Sequence, residues 1–280
     1  MRDKRLSLQK LRVYNGTNFK SAVTENPLFL EVPMKNKRLV TVFVCVVLAG
    51  WTSVAVAQQQ LVTTLHINPG KVAEFEQTSK ARHARMAAAG VTFLERVAVA
   101  DGPRYRFVAP MDNMAALDTQ SAQMDAVAPA DSEAQANARE AIVSIDTAIR
   151  RARPELGHQP DNPRVPLDEA GFIRENRLYL RFGAEGDAVG ILEQISALAK
   201  RRNLRDVVLV FSHVTGNDGP FISVQFFAGD AADFHAMRER NNETLGTEYQ
   251  ALVAQLGPLT RHLETIDWVV RGDLAYQPAQ

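Results

Sequence analysis

Asp101-Gly102-Pro103 recurs as Asp218-Gly219-Pro220, 117 residues later. Glu76-Gln77 and Glu193-Gln194 keep the same offset, as do Leu61 and Leu178, Ser79 and Ser196, Arg85 and Arg202, Val91 and Val208, and Val97 and Val214. Near the end, Arg153-Pro154-Glu155-Leu156-Gly157-His158-Gln159-Pro160 matches Arg271-Gly272-Asp273-Leu274-Ala275-Tyr276-Gln277-Pro278 at an offset of 118. Matches in one order at a near-constant offset read as a duplication. A duplication restricts the chain to folds in which two copies of one unit bury each other's apolar surface. Pro160, Pro163 and Pro166 mark the boundary, read as a linker over 161–176 between copies at 58–160 and 177–280.

Each copy shows the same order of periodicities. Leu61, Thr63, Leu65 and Ile67 alternate with Val62, Thr64 and His66, and Leu178, Leu180 and Phe182 alternate with Tyr179 and Arg181. A period of two predicts strands. Helices follow over 71–89 and 187–202. The second carries a continuous apolar stripe of Ala188, Ile191, Leu192, Ile195, Leu198 and Ala199; the first has only Val72, Phe75 and Met86, with Arg82, His83 and Arg85 in its last turns. Paired strands follow at 91–99 with 104–109 and at 207–215 with 221–227, around the Asp-Gly-Pro turns. Helical regions over 112–150 and 230–256 and last strands over 147–153 and 263–271 complete each copy. The order β-α-β-β-α-β predicts an α+β fold: two tandem ferredoxin-like repeats, each a four-stranded antiparallel sheet with two helices on one face. Facing the two sheets across a closed barrel covers the other faces.

The N-terminal stretch has a different character. Lys35, Lys37 and Arg38 precede the apolar run 39–50, and Ala55-Val56-Ala57 follows it. Basic, apolar and A-x-A regions in that order read as a cleavable signal peptide over 34–57, beginning at Met34. The run is short of the ~20 residues of a membrane span. Residues 1–33 have no sustained period and read as a disordered upstream extension. Export to the periplasm or beyond the cell is the expectation, with no stable membrane anchor after cleavage.

Cleavage after Ala57 would leave 23 basic and 29 acidic side chains, a net charge of −6, and would remove Cys45, the only cysteine. The acidic balance argues against nucleic acid as a partner. With no further cysteine and no helical histidine pair, no metal site is expected. No G-x-S-x-G, G-x-G-x-x-G or phosphate loop occurs. Gly216-Asn217-Asp218-Gly219 is one residue short of the G-x-x-D-G of dye-decolorising peroxidases and reads as a hairpin turn.

The element order, the tandem copy and the terminal R-x-[DE]-L-x-[HY]-x-P segments together resemble the dimeric α+β barrel superfamily, in particular its NIPSNAP-like and antibiotic-biosynthesis-monooxygenase-like branches. The resemblance implies an intramolecular dimeric α/β barrel, a monomeric pseudo-dimer open to further homodimerisation. Its members include cofactor-free oxygenases, isomerases, haem-handling proteins and proteins without known activity, so whether this chain is an enzyme stays open.

If the apolar strand faces meet the helices, alternation places His66, Arg106, Tyr179, Arg181, Ser223 and Gln225 between the sheets, with Thr64 beside them. His213 is a further strand histidine that could face inward. Arginines in an enclosed space demand an anion. That anion is either a protein carboxylate, with Asp267 and Glu95 as candidates, or a ligand. The expectation is a small anionic or aromatic molecule bound between the sheets by these seven residues, without a cofactor. The alternatives are a cofactor-independent monooxygenase or isomerase, and a haem-handling protein.

Overall fold

The computed structural model describes residues 59–127, 139–216 and 219–279. The readings made on 1–33, on the 34–57 leader and on Asp218 fall outside these residues. The first half runs β1 (Gln59–Ile67), α1 (Val72–Ala88), β2 (Arg96–Ala100), β3 (Arg104–Met111), α2 (Ala116–Val127) and β4 (Ile142–Ala152). The second runs β5 (Phe172–Leu180), α3 (Glu185–Arg201), β6 (Val208–Thr215), β7 (Phe221–Ala228), α4 (Ala231–Leu256) and β8 (Thr260–Val270). Within the halves the strands lie in the orders β4-β1-β3-β2 and β8-β5-β7-β6. Pairing of β2 with β8 and of β4 with β6 joins the two sheets into one closed eight-stranded antiparallel barrel. Closure gives each of the eight described strands a partner on both sides.

Several boundaries differ from the periodicity reading. Of the first copy's helix over 112–150, Ala116–Val127 and residues 139–141 are helical, 128–138 lie outside the described residues, and β4 already starts at Ile142. β5 starts at Phe172, inside the segment read as a linker, and stops at Leu180. Phe182 therefore does not continue the apolar face; it is 93% exposed.

Alternation sorts the barrel's side chains. Tyr105 and Phe107 of β3 pack on Phe75 of α1, and Leu178, Leu180, Ile222 and Val224 pack with Ile191, Leu192 and Leu198 of α3. The opposite faces point inward, where Leu209, Phe211, Phe227 and Ile173 form one apolar cluster and Ala98, Ala100, Ile266 and Trp268 another. Val165, Leu167 and Ala170, from the connection between the halves, pack on the first of these.

Backbone hydrogen bonds give the true correspondence between the halves. Ile67 N–H donates to Pro103 O, and Leu180 N–H donates to Pro220 O. Pro103 and Pro220 are 117 apart, but Ile67 and Leu180 are 113 apart. The same 113 relates the left-handed residues just past each helix, Gly90 (φ 67°) and Asn203 (φ 52°). Hence the offset is 113 through β2 and becomes 117 only after the longer β6–β7 turn. The 117-residue matches in β1 and α1 are four residues out of register. Four residues is close to one helical turn and an even strand step, so such a slip preserves the facing pattern and hides itself in the sequence.

The terminal segments of the halves exchange places. His158 exchanges both backbone hydrogen bonds with Val208, and Tyr276 exchanges both with Glu95, all at 2.8–2.9 Å. Arg153 N–H donates to Val210 O and Arg271 N–H to Val97 O. Leu156 is buried in the second half's helix–sheet core and Leu274 in the first's. His158 Nε2 lies 2.7 Å from Leu204 O, and Tyr276 Oη donates to Val91 O at 2.9 Å. Each arm thus clasps the other half with the same contacts, the reciprocity of a two-fold interface written within one chain.

Candidate functional site

Glu175 occupies the centre of the barrel interior at 1% exposure. It accepts from Arg106 Nη1 at 2.8 Å, Arg177 Nη2 at 3.2 Å, Ser223 Oγ at 2.6 Å, Gln225 Nε2 at 3.1 Å and Trp268 Nε1 at 3.0 Å. Arg150 Nη1 lies 3.8 Å away. Burial alone would raise the Glu175 carboxyl; Arg106, Arg177, Arg150 and the Ser223 hydroxyl override it and hold it well below the usual carboxylate range. Burial depresses Arg106 and Arg150, the latter also through Arg106 beside it.

This arrangement places six of the seven residues expected between the sheets. Arg106, Ser223 and Gln225 converge on Glu175. Tyr179 Oη donates to Glu264 Oε2 at 3.2 Å. His66 is nearer one end, 4.0 Å from an exposed Asp146. The His213 ring lies 3.6 Å from that of Phe221, and burial, then Arg150 and Arg177, push its pKa down to about 3. Arg181 is the correction. It follows the end of β5 and the register shift between Tyr179 and Leu180, lies exposed, and donates from Nε to Pro258 O at 2.9 Å. Arg177 takes the inward place instead. The carboxylates named as partners are also elsewhere: Asp267 forms a two-point pair with Arg174 at 2.6 Å, and Glu95 pairs with Arg82. Glu175 escaped attention because it sits in the stretch read as a linker.

A cavity of about 610 Å³ opens elsewhere, between the outer face of β1 and β3 and helices α1 and α2. Leu61, Leu65, Phe75, Phe107 and Met124 form its apolar walls, and Thr63, Thr78, Ser79, Arg82, Glu95 and Gln120 its polar points. The repeat explains why space exists here. At the corrected offsets, Thr78, Ser79, Arg82 and Glu95 correspond to Ile191, Leu192, Ile195 and Val208, and Ala109 to Phe226. Those five second-half side chains belong to one continuous core. Smaller or charged groups at the same positions leave the first half hollow.

The charged wall is organised. Glu95, 7% exposed, accepts from Arg82 Nη2, and His83 Nε2 lies 3.9 Å from Glu95 Oε1. Burial raises the Glu95 carboxyl, but His83 and Arg82 outweigh it and lower it overall. Opposite, Gln120 donates from Nε2 to Pro110 O at 2.9 Å, while its buried Oε1 has no partner among the described residues. An unanswered acceptor in an apolar pocket asks for a hydroxyl or N–H donor. His83, in the cationic last turns of α1, lies against Glu95, its side chain 14% exposed. The weak apolar stripe of α1 was the sequence signal for this site. Among the described residues, no group of three or more His, Cys, Asp or Glu could hold a metal ion.

No protein-family model matches the chain, and no curated protein matches it. Solved structures do. A protein assigned as a monooxygenase from Lactobacillus acidophilus matches with a TM-score of 0.51 at 9% identity, covering 80% of this chain and 97% of that one. An anthrone oxidase-like protein matches at 0.56 and 11% identity, covering 79% and 94%. A protein assigned as a monooxygenase from Fusobacterium nucleatum matches at 0.51 and 9%, covering 77% and 93%.

Proposed function

We propose, from the premise that this chain has the dimeric α+β barrel fold closed on itself in tandem, that its first half binds a small hydroxylated aromatic molecule. The observation that carries this is the hollow beneath α1, at positions where the second half has a continuous apolar core. About 610 Å³ is the size of a small-molecule pocket. Its apolar walls suit a flat ring system, the free Gln120 Oε1 suits a ligand hydroxyl, and Glu95 disfavours a ligand carboxylate there. The test follows from the repeat. A chain carrying Thr78→Ile and Ala109→Phe, the residues of the packed half, is expected to weaken binding of 1,8-dihydroxyanthraquinone at least tenfold in a calorimetric titration. It should also be more stable by about 0.5–2 kcal/mol, as cavity filling usually is. Unchanged affinity in a folded variant would reject the site.

A second reading, cofactor-independent oxygenation, is supported by the buried Glu95 carboxylate beside an apolar cavity and by the names borne by the similar structures. Oxygen consumption with a hydroxylated anthrone, lost in Glu95→Gln, is its test; a Soret band in freshly purified protein would favour haem handling instead. We also propose export with cleavage after Ala57. N-terminal sequencing of the mature protein should read from Gln58, and a retained Met34 would refute it.

A further inference from the structure

Charge inside the barrel does not balance. Arg104, Arg106, Arg150 and Arg177 face one another there, and the carboxylates among them are Glu175 and Glu264. The other inward carboxylate, Asp146, is 74% exposed beside His66. Glu175 already accepts five hydrogen bonds, so its capacity is spent. Arg150 receives only a charge contact from it at 3.8 Å; its Nε donates to Gln60 Oε1 at 2.8 Å and its guanidinium lies 4.0 Å from the centre of the Phe211 ring. Among the described residues, the Nε of Arg106, a residue 2% exposed, has no acceptor, nor has Arg177 Nε, and His213 Nδ1 has no hydrogen-bond partner. Excess buried cations with idle donors are costly unless an anion answers them.

We infer that the barrel interior is a second binding site, separate from the hollow beneath α1, for a small oxyanion seated beside Arg150 and Arg177. Guanidinium groups engage planar or tetrahedral oxygen anions through paired hydrogen bonds, which a halide cannot reproduce. The rings of Phe211, Trp268 and Phe221 lie 4.0, 4.1 and 5.9 Å from the guanidiniums of Arg150, Arg106 and Arg177 and border this cluster.

Trp268 donates to Glu175 and lies under the Arg106 guanidinium at 4.1 Å, so its fluorescence reports on this cluster. The chain cleaved after Ala57 has it as the sole tryptophan, and an uncleaved chain needs Trp51→Phe. Titrated with sulfate, phosphate or formate at fixed ionic strength, it is expected to give a saturable fluorescence change and a melting temperature that rises with occupancy; chloride should give neither. Preference for formate over sulfate would identify a carboxylate as the ligand class, and the reverse an inorganic oxyanion. Arg150→Gln should weaken the apparent affinity at least tenfold. A response equal for chloride and sulfate, or an unchanged affinity in folded Arg150→Gln, overturns the inference. If that variant does not fold, crystals of the unsubstituted chain soaked in selenate decide: anomalous density between Arg150 and Arg177 supports the site, and its absence at saturating selenate refutes it.

Discussion

At the scale of single residues, the barrel interior is governed by one carboxylate that three arginines share. His213 lies within their field. Its pKa falls from 6.5 to about 3 because burial and then the cations Arg150 and Arg177 oppose its protonation. The sign is that of a depressed group. Unfolded chains take up a proton below pH 6.5 and the folded chain does not, so its stabilisation is complete above 6.5 and drains away as pH falls toward 3. Urea unfolding should lose up to about 1.4 kcal/mol per pH unit below 6.5 from this group. In His213→Phe that stretch of the profile should flatten; an identical slope in both proteins would refute the assignment. Arg106 was legible from alternation alone, since its neighbours Tyr105 and Phe107 are plainly apolar. Arg181 misled because alternation says nothing about where a strand stops. Its place beyond Leu180 depends on a register shift against β8, a tertiary fact.

Helices α1 and α3 show how one element diverges within a fixed frame. Both have 17 residues and both end on a left-handed residue. Yet α3 buries Ala188, Ile191, Leu192, Ser196, Leu198 and Ala199, whereas α1 buries Phe75, Ser79 and Met86. The sequence announced this difference as a weak stripe with cationic last turns. It did not announce a pocket, because a weak stripe equally describes a helix lying loosely on solvent. Only the register, with Ser79 at Leu192's position, converts weakness into a hollow of definite place. The repeat itself was legible, and so was the order of strands and helices. The four-residue slip was not, since both periodicities forgive it.

For the whole molecule, the reciprocal arms tie the halves together in addition to the two sheet seams. Leu156 and Leu274 sit in equivalent sockets, 3% and 0% exposed. Leu156→Ala and Leu274→Ala are each expected to cost about 2–5 kcal/mol in urea unfolding. The Leu274 socket lies in the hollow half, where neighbours have room to collapse, so Leu274→Ala should fall nearer the lower figure. A loss under 1 kcal/mol at both would mean the arms merely rest on the surface. Because each arm stabilises the half it does not belong to, the halves are expected to unfold in one transition.

That tandem closure frees the protein from a constraint on any homodimer of the same shape. In a homodimer every substitution is made twice, so a mutation that hollows one subunit hollows both and removes its packing energy twice over. Here a mutation lands once. One half keeps a continuous apolar core, while the other gives up the corresponding side chains and leaves a cavity. Joining the copies thus lets selection treat the packed half and the hollow half as separate inheritances.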